Sequence, residues 1–199
     1  MDLDIFKIDV LKEVANIGGG HAATALSKLI GKKVEVQVPK IYTGSLEEVI
    51  EKIDFKNERI CGVLSCFLGD LTGLMFFALN DVNAFNLAQK LVRRPIDKYD
   101  EMVKSALQET ANIIIGAYLT AISDLLHILV LPTVPYLKIE NGRALITSIF
   151  VEHGKVDWIF CAENRLKIED ETYIESYLFF APDEMAIEYM LKKVKEILM

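Results

Sequence analysis

Apolar residues recur along the first part of the chain with two spacings, and each spacing predicts a different element. Over residues 4–29 they return every three or four positions, which is the period of an amphipathic helix. The segment 33–38 alternates apolar and polar residues, as expected of a strand with one buried face. Ser45 and Glu48 have the spacing of a capping box, so we predict a short helix at about 45–53.

Two longer apolar runs follow this short helix. The runs 59–68 and 71–79 are separated by a Gly-Asp pair, which predicts a β-hairpin. A helix is predicted over 81–92 and is ended by the Arg-Arg-Pro sequence at 93–95. The first half of the chain is therefore predicted as helix, strand, short helix, hairpin and helix.

The chain repeats itself. A shift of 96 residues places Asp9–Pro39 on Ser105–Pro135 without a gap, and thirteen of the 31 aligned positions are identical. A second match, of Gly73–Ala78 with Ser176–Ala181, has a shift of 103, so the second copy has gained residues in between. The repeat predicts two structurally equivalent halves, at about 1–97 and 98–199.

The second half is predicted to begin with a long helix over 99–129. Pro132 interrupts the strand that follows, so we expect this strand to lie at a sheet edge or to be shortened. Further strands are predicted at 143–151, 155–162 and 172–181, before a last helix that Pro182-Asp183 opens and that continues through Met199.

The fold class that these elements indicate is α+β. We expect two duplicated α-β-β-α halves related by a pseudo-two-fold axis, with antiparallel sheets and the long helices packed outside. The linker at 94–100 is short and polar, so the halves are expected to pack as a single domain, 1–199.

Composition narrows the range of partners and compartments. The formal net charge of −7 disfavours nucleic acid and anionic membranes as partners. The acidic N-terminus lacks the features of a signal peptide, and charged or proline residues interrupt the apolar segment 110–137, which disfavours a membrane span. Three cysteines without a CxxC pair fit a reducing cytoplasm better than a disulfide framework.

Each long helix carries an acid and a carboxamide on one predicted face. In the first helix the stripe has steps of four, three and four residues, and the second helix repeats it. A Glu and an Asn three residues apart are common on solvated helices. Here they are identical in both copies, while positions expected to be buried differ, such as Gly18 against Ile114 and Ala22 against Tyr118. Asn also has no propensity reason to lie twice in mid-helix. The two stripes are Asp9, Glu13, Asn16 and Gly20, and Ser105, Glu109, Asn112 and Gly116.

The flanking residues have structural interpretations. Gly20 and Gly116 are expected to permit a close backbone approach. The run Gly18-Gly19-Gly20 could suggest a phosphate cradle, but no strand precedes it and no Gly-Lys-Ser/Thr follows, so this interpretation is disfavoured. No histidine has metal-ligand spacing, and no metal site is predicted.

The pattern [Asp/Ser]-x3-Glu-x2-Asn-x22-Pro resembles the signature of the CheC/CheX/FliY family of chemotaxis phosphatases. Both stripes match it with identical spacing and end at Pro39 and Pro135, and the sequence NIGGGHAATALS is similar to the family's first helix. The resemblance implies a phosphatase that hydrolyses the phospho-aspartate of a CheY-type response regulator.

The resemblance also implies a role for each residue. Glu13 and Glu109 would pair with a lysine beside the regulator's phosphorylation site, and Asn16 and Asn112 would orient the attacking water. Asp9 and Ser105 would orient the glutamates at the partner surface, unless they are simply solvated. The metal, Mg²⁺, would belong to the regulator.

Three alternatives remain. The chain could be a non-catalytic adaptor for CheD, a receptor deamidase that the resemblance suggests as a partner, although an adaptor would be free to lose Glu or Asn. A flagellar switch protein like FliY is disfavoured, because we expect no additional C-terminal domain after Met199. A single-site dimer like CheX is disfavoured because both motifs are intact, and a monomer is expected.

Overall fold

The computed structural model describes residues 3–53, 58–152, 158–169 and 172–198. Within these ranges the chain forms seven strands and six helices. In chain order they are α1 (Leu3–Ile30), β1 (Val34–Gly44), α2 (Leu46–Lys52), β2 (Arg59–Gly69), β3 (Gly73–Asn80), α3 (Asp81–Val92), α4 (Glu101–Leu126), β4 (Val130–Pro132), β5 (Tyr136–Asn141), α5 (Gly142–Glu152), β6 (Ile159–Ile168), β7 (Thr172–Pro182) and α6 (Glu184–Leu198).

All seven strands belong to one antiparallel sheet with the order β1-β6-β7-β3-β2-β4, and β5 also pairs with β2. The order reads the same from either end when β1 is matched to the β4–β5 segment, β2 to β6 and β3 to β7. The two halves meet at the β3–β7 pair. The first strand segment of each half also pairs with the hairpin of the other half. β1 pairs with β6, and the β4–β5 segment pairs with β2. The α+β class and the antiparallel pairing are confirmed, with one sheet in place of the separate sheets expected.

Successive side chains of the central strands enter two different cores, because strand residues alternate between the faces of a sheet. Met75, Phe77 and Leu79 of β3 face the larger core, which includes residues of α1, α3, α4 and α6. Phe76 and its neighbours on the opposite face meet α2 and α5 in a smaller core. The sheet is therefore covered on both faces, and the long helices lie together on one of them.

Most of the elements expected in the first half are confirmed. The capping box is present: Ser45 Oγ accepts a hydrogen bond from the Glu48 amide at 3.3 Å, and Glu48 Oε2 accepts one from the Ser45 amide at 2.9 Å. β1 is longer than the strand expected at 33–38. Its pairing with β6 shifts register between Gln37 and Lys40. Proline has no N–H for the ladder, so a bulge at Pro39 lets the strand continue.

The strand predicted at 143–151 is wrong, because this segment is helix α5. Leu145, Ile146, Ile149 and Phe150 are buried at the spacing of one helix face, against the smaller core. The β-branched composition favoured a strand, and tertiary packing overrode it. The first half has the helix α2 at the equivalent position, so a comparison of the two copies would have predicted a helix here.

The remaining boundaries of the second half also differ from expectation. The strand expected at 155–162 is β6, which continues to Ile168, while 155–157 lie outside the described residues. The long helix expected over 99–129 ends at Leu126, where His127 takes a left-handed conformation with φ 53°. The last helix is confirmed to Leu198, and Met199 lies outside the described residues.

The two long helices touch at a glycine. Gly18 of α1 faces Tyr118 of α4, and a Cβ atom at Gly18 would lie 2.9 Å from Tyr118 Cγ and 3.0 Å from its Cα. The Tyr118 ring is buried, and its hydroxyl donates a 2.6 Å hydrogen bond to Oδ1 of the buried Asn164 on β6. Burial raises the pKa of Tyr118, so the hydroxyl stays protonated and keeps donating. This contact sets the separation of α1 and α4.

The close approach expected at Gly20 and Gly116 is wrong. A Cβ atom at either position would meet nothing within 4 Å. Both glycines lie on the outer side of their helices, so the glycine that allows the helices to approach is Gly18.

We predict opposite effects of the same substitution at two glycines of α1. Gly18→Ala should lower the free energy of unfolding by about 1–2 kcal/mol, because the new methyl group would push α4 away. Gly20→Ala should raise it by about 0.5–1 kcal/mol, because alanine restricts the unfolded chain and here meets no neighbour. Urea denaturation of the two variants tests this, and equal effects at both positions would contradict the proposed contact.

Candidate functional site

The α1 site lies on an exposed helix face. Asp9, Glu13 and Asn16 are all exposed, as the sequence predicted for this stripe. They belong to the side of α1 that does not face the core, because Leu11, Val14 and Ala15 occupy the buried side. Both side chains of the Glu13–Asn16 pair are therefore accessible to another protein.

Asp9 has a partner within its own helix. Lys12 Nζ lies 3.3 Å from Asp9 Oδ1, and both side chains are largely exposed. An exposed pair of this kind contributes little to stability. Asp9 thus contacts Lys12, which places a charged pair at the edge of the α1 site.

The α4 site borders an open cleft. Ser105, Glu109 and Asn112 line it from the helix. Pro135, in the loop between β4 and β5, and Tyr136, the first residue of β5, line it from the opposite side. The cleft has a volume of about 490 Å³. Ser105 and Glu109 are exposed and Asn112 is half-buried. The fold thus brings the four positions of the motif, which span 31 residues of sequence, to one surface.

A hydrogen bond fixes the far wall of this cleft. Gln108 Nε2 donates to the Pro135 carbonyl oxygen at 2.6 Å, which ties the loop to α4. The equivalent residue of the first half is Lys12, whose ammonium group turns to Asp9 instead. The two sites therefore share their Glu and Asn but differ in how the neighbouring segment is held.

Sequence reasoning missed two residues of the α4 site. Gln108 and Tyr136 were not selected, although one directly precedes Glu109 and the other directly follows Pro135. Both positions differ between the copies, as Lys12 and Lys40 in the first half. Identity between the two copies does not mark such residues, and their roles depend on contacts that only the folded chain shows.

Other reactive groups lie away from both stripes. Burial raises the pKa of the Cys61 thiol to about 12 and that of the Cys161 thiol well above its usual value, so neither is a thiolate at neutral pH. Burial, assisted by a 3.0 Å hydrogen bond to Glu163, raises the pKa of Tyr42 to about 12. Cys161 and Tyr42 pack on the sheet face opposite the long helices, and Cys61 is buried in the larger core.

In the part of the chain that the structure describes, no three His, Cys, Asp or Glu side chains converge as a metal site would require. Over the same residues, no helix combines the length and the apolar character needed to cross a bilayer. The apolar segment at 110–137 instead places α4 in the core of the fold.

The chain is similar to proteins of bacterial chemotaxis. It is 29% identical over 194 residues to the CheY-P phosphatase CheC of Bacillus subtilis (strain 168), which covers 92% of this chain and 90% of the relative. The crystal structure of Thermotoga maritima FliY superposes with a TM-score of 0.77 at 21% identity, covering 94% of this chain and 95% of that one.

A second similar structure is the CheX-CheY-BeF₃-Mg²⁺ complex from Borrelia burgdorferi. It matches with a TM-score of 0.52 at 19% identity, covering 84% of this chain and 96% of that one. At this level of identity, the two structural matches establish the fold. The CheC-like family model matches residues 6–42 and 102–139, one segment in each half. Each matched segment carries the Glu and Asn of one site, so the chain is similar to the CheC-like family at both sites.

Proposed function

We propose that this protein is a phosphatase that hydrolyses the phospho-aspartate of a CheY-type chemotaxis response regulator. The observation that carries the proposal is the accessible pair of Glu and Asn side chains, present twice with identical spacing on two equivalent helices. The similarity to a CheY-P phosphatase over 92% of the chain supports the same activity.

The chemistry suits a carboxamide. Phosphoryl transfer depends mainly on the position of the attacking water and on stabilised charge, and it does not require a strong base. The amide of Asn16 or Asn112 can donate and accept a hydrogen bond at the same time without titrating, so it can hold a water in line with the phosphorus. The water oxygen bonds to phosphorus, the bond to the aspartate oxygen breaks, and the water's proton passes to the phosphate or to solvent.

The carboxylates would position the partner. An accessible Glu13 or Glu109 can pair with a lysine of the regulator, and this contact would hold the bound regulator at the site. Asp9 and Ser105 lie one helical turn upstream and would contact the same partner. We propose that the Mg²⁺ needed for charge stabilisation is the regulator's own.

We predict that Asn16→Ala combined with Asn112→Ala slows regulator dephosphorylation by about 100-fold relative to the wild-type protein, because the water is no longer oriented. The measurement is the decay of the phosphorylated regulator with and without added protein. Asn86→Ala is the matched control, since Asn86 lies on α3, outside both stripes, and is partly exposed. A double variant as active as the wild type would overturn the assignment of the asparagines.

A second prediction separates binding from chemistry. Glu13→Gln combined with Glu109→Gln should raise KM about tenfold with little change in kcat, because an intermolecular ion pair is lost and the asparagines remain. Glu47→Gln combined with Glu51→Gln removes the same charge from exposed positions of α2 and should leave KM unchanged. A fall in kcat alone would show that the carboxylates act on the reacting atoms.

We further propose that the protein acts as a monomer in the cytoplasm. Each half already pairs with an edge strand of the other half. Neither half therefore needs a second chain to complete its sheet. Sedimentation equilibrium at the mass of a single chain is the expected result, and a dimer would contradict it.

CheD is the second partner that we propose, following the family resemblance. Its surface is expected to differ from both stripes, so the Asn16→Ala, Asn112→Ala variant should retain CheD as well as the wild type does in a pull-down. Loss of CheD only from this variant would place it on the catalytic stripes, and no capture by either protein would remove CheD as a partner.

A further inference from the structure

Exposed apolar side chains are concentrated beside the α4 site. Of the eleven large apolar residues that are exposed among the described residues, five lie on β4, on the loops that flank it, at the start of β5, or at the adjoining end of β2. Val134 is 87% exposed and Tyr136 is 65% exposed. We call this group the apolar edge strip, and it consists of Leu68, Leu129, Leu131, Val134 and Tyr136.

The first half has no such strip at its own edge. The shift of 96 residues that relates the copies places Lys33, Glu35 and Lys40 opposite Leu129, Leu131 and Tyr136. Lys33 Nζ lies 2.7 Å from Glu35 Oε1, so this edge is solvated and internally paired. The difference is specific to surface positions, because the buried Val34 and Val130 remain identical. The two halves thus present the same site beside different surfaces.

The strip is continuous with the α4 cleft. Tyr136 belongs to both, since it lines the cleft together with Glu109 and Asn112. A protein partner that reaches Asn112 therefore meets the strip within the same footprint, because a typical interface covers about 800 Å² per partner. Exposed tyrosine is also among the side chains that most often dominate binding energy.

The strip is held in place before any partner binds. The Thr133 amide donates to the Cys66 carbonyl oxygen at 2.8 Å, and the Thr133 carbonyl oxygen accepts from Ser65 Oγ at 2.9 Å. Gln108 anchors Pro135 two residues further on. Val134 lies between these anchors with its side chain in solvent. A surface fixed in this way loses little conformational entropy on binding.

The edge is less suited to a second copy of this chain. Two copies of a chain with an exposed sheet edge usually associate by pairing their edge strands. Here β4 has only three residues and ends in Pro132, which offers no N–H for an added strand. The surface is instead suited to side-chain contact with a folded partner.

We propose that the phosphorylated response regulator docks on the apolar edge strip when it occupies the α4 site, through apolar side chains beside its aspartyl phosphate. The α1 site has only the charged edge, so it binds the same partner more weakly. This inference rests on the proposed phosphatase function. It adds that the regulator occupies the α4 site first when its concentration is low.

The test uses full-length chains with one site at a time. Asn16→Ala leaves only the α4 site and Asn112→Ala leaves only the α1 site. Steady-state dephosphorylation of a purified, phosphorylated CheY-type regulator gives kcat and KM for each. Leu131→Glu and Val134→Glu are then added separately to both backgrounds. Gln37→Glu is the matched control, because it places the same carboxylate on the exposed edge of β1.

We expect the α4 site to have the lower KM. Each strip substitution should raise the KM of the α4 site about tenfold, because it places a carboxylate in an apolar contact, and kcat should change less than twofold. The α1 site and the Gln37→Glu control should be unaffected. Val134 lies outside β4 and β5 and is highly exposed, so Val134→Glu keeps the test valid if Leu131→Glu fails to fold.

Four outcomes would overturn the inference. If the α4 site is active and neither substitution changes its KM, the strip is not a docking surface, and the proposed phosphatase function is unaffected. Equal effects on both sites would show a general effect of charge. A wild-type dimer that Leu131→Glu dissociates in sedimentation would assign the strip to a second copy of the chain. A wild type without any activity would overturn the proposed function and this inference together.

Discussion

The contact between Gly18 and Tyr118 brings α1 and α4 together, and the positions of both sites depend on it. Its tolerance is narrow, because a single added methyl group would lie 2.9 Å from the tyrosine ring. The Tyr118 hydroxyl also reaches Asn164 on β6, so the pair of helices is fixed to the sheet by a buried hydrogen bond. A buried donor left without its acceptor would cost about 1–3 kcal/mol, which favours one arrangement of the three elements.

The exchange of edge strands extends this constraint to the whole molecule. Each half pairs its first strand with the hairpin of the other half, and the β3–β7 pair joins them at the centre. A half could not bury its own sheet edge alone. The duplication therefore yields one continuous sheet that presents two equivalent helices on the same face, with Glu13–Asn16 on one and Glu109–Asn112 on the other.

Equivalent sites need not have equivalent surroundings. The Glu and Asn side chains that would hold the regulator and orient water are the same in both halves, since the chemistry of a phospho-aspartate permits few solutions. The neighbouring positions do not take part in that chemistry, so they can differ between the halves. They are Lys12 and Lys40 in one half and Gln108 and Tyr136 in the other. Shared chemistry on different docking surfaces would let one chain respond over a wider range of regulator concentrations than two identical sites.

The sequence by itself determined the α+β class, most elements and the two helical stripes, because these follow from local periodicity and from the internal repeat. It failed at α5, where β-branched residues favoured a strand and burial against the smaller core produced a helix. Only the tertiary structure decided that Gly18 is the contact glycine, that the halves exchange strands, and that Pro135 and Tyr136 close a cleft around Asn112. These features depend on contacts between residues far apart in the chain, and a local sequence pattern does not determine which distant residues come into contact.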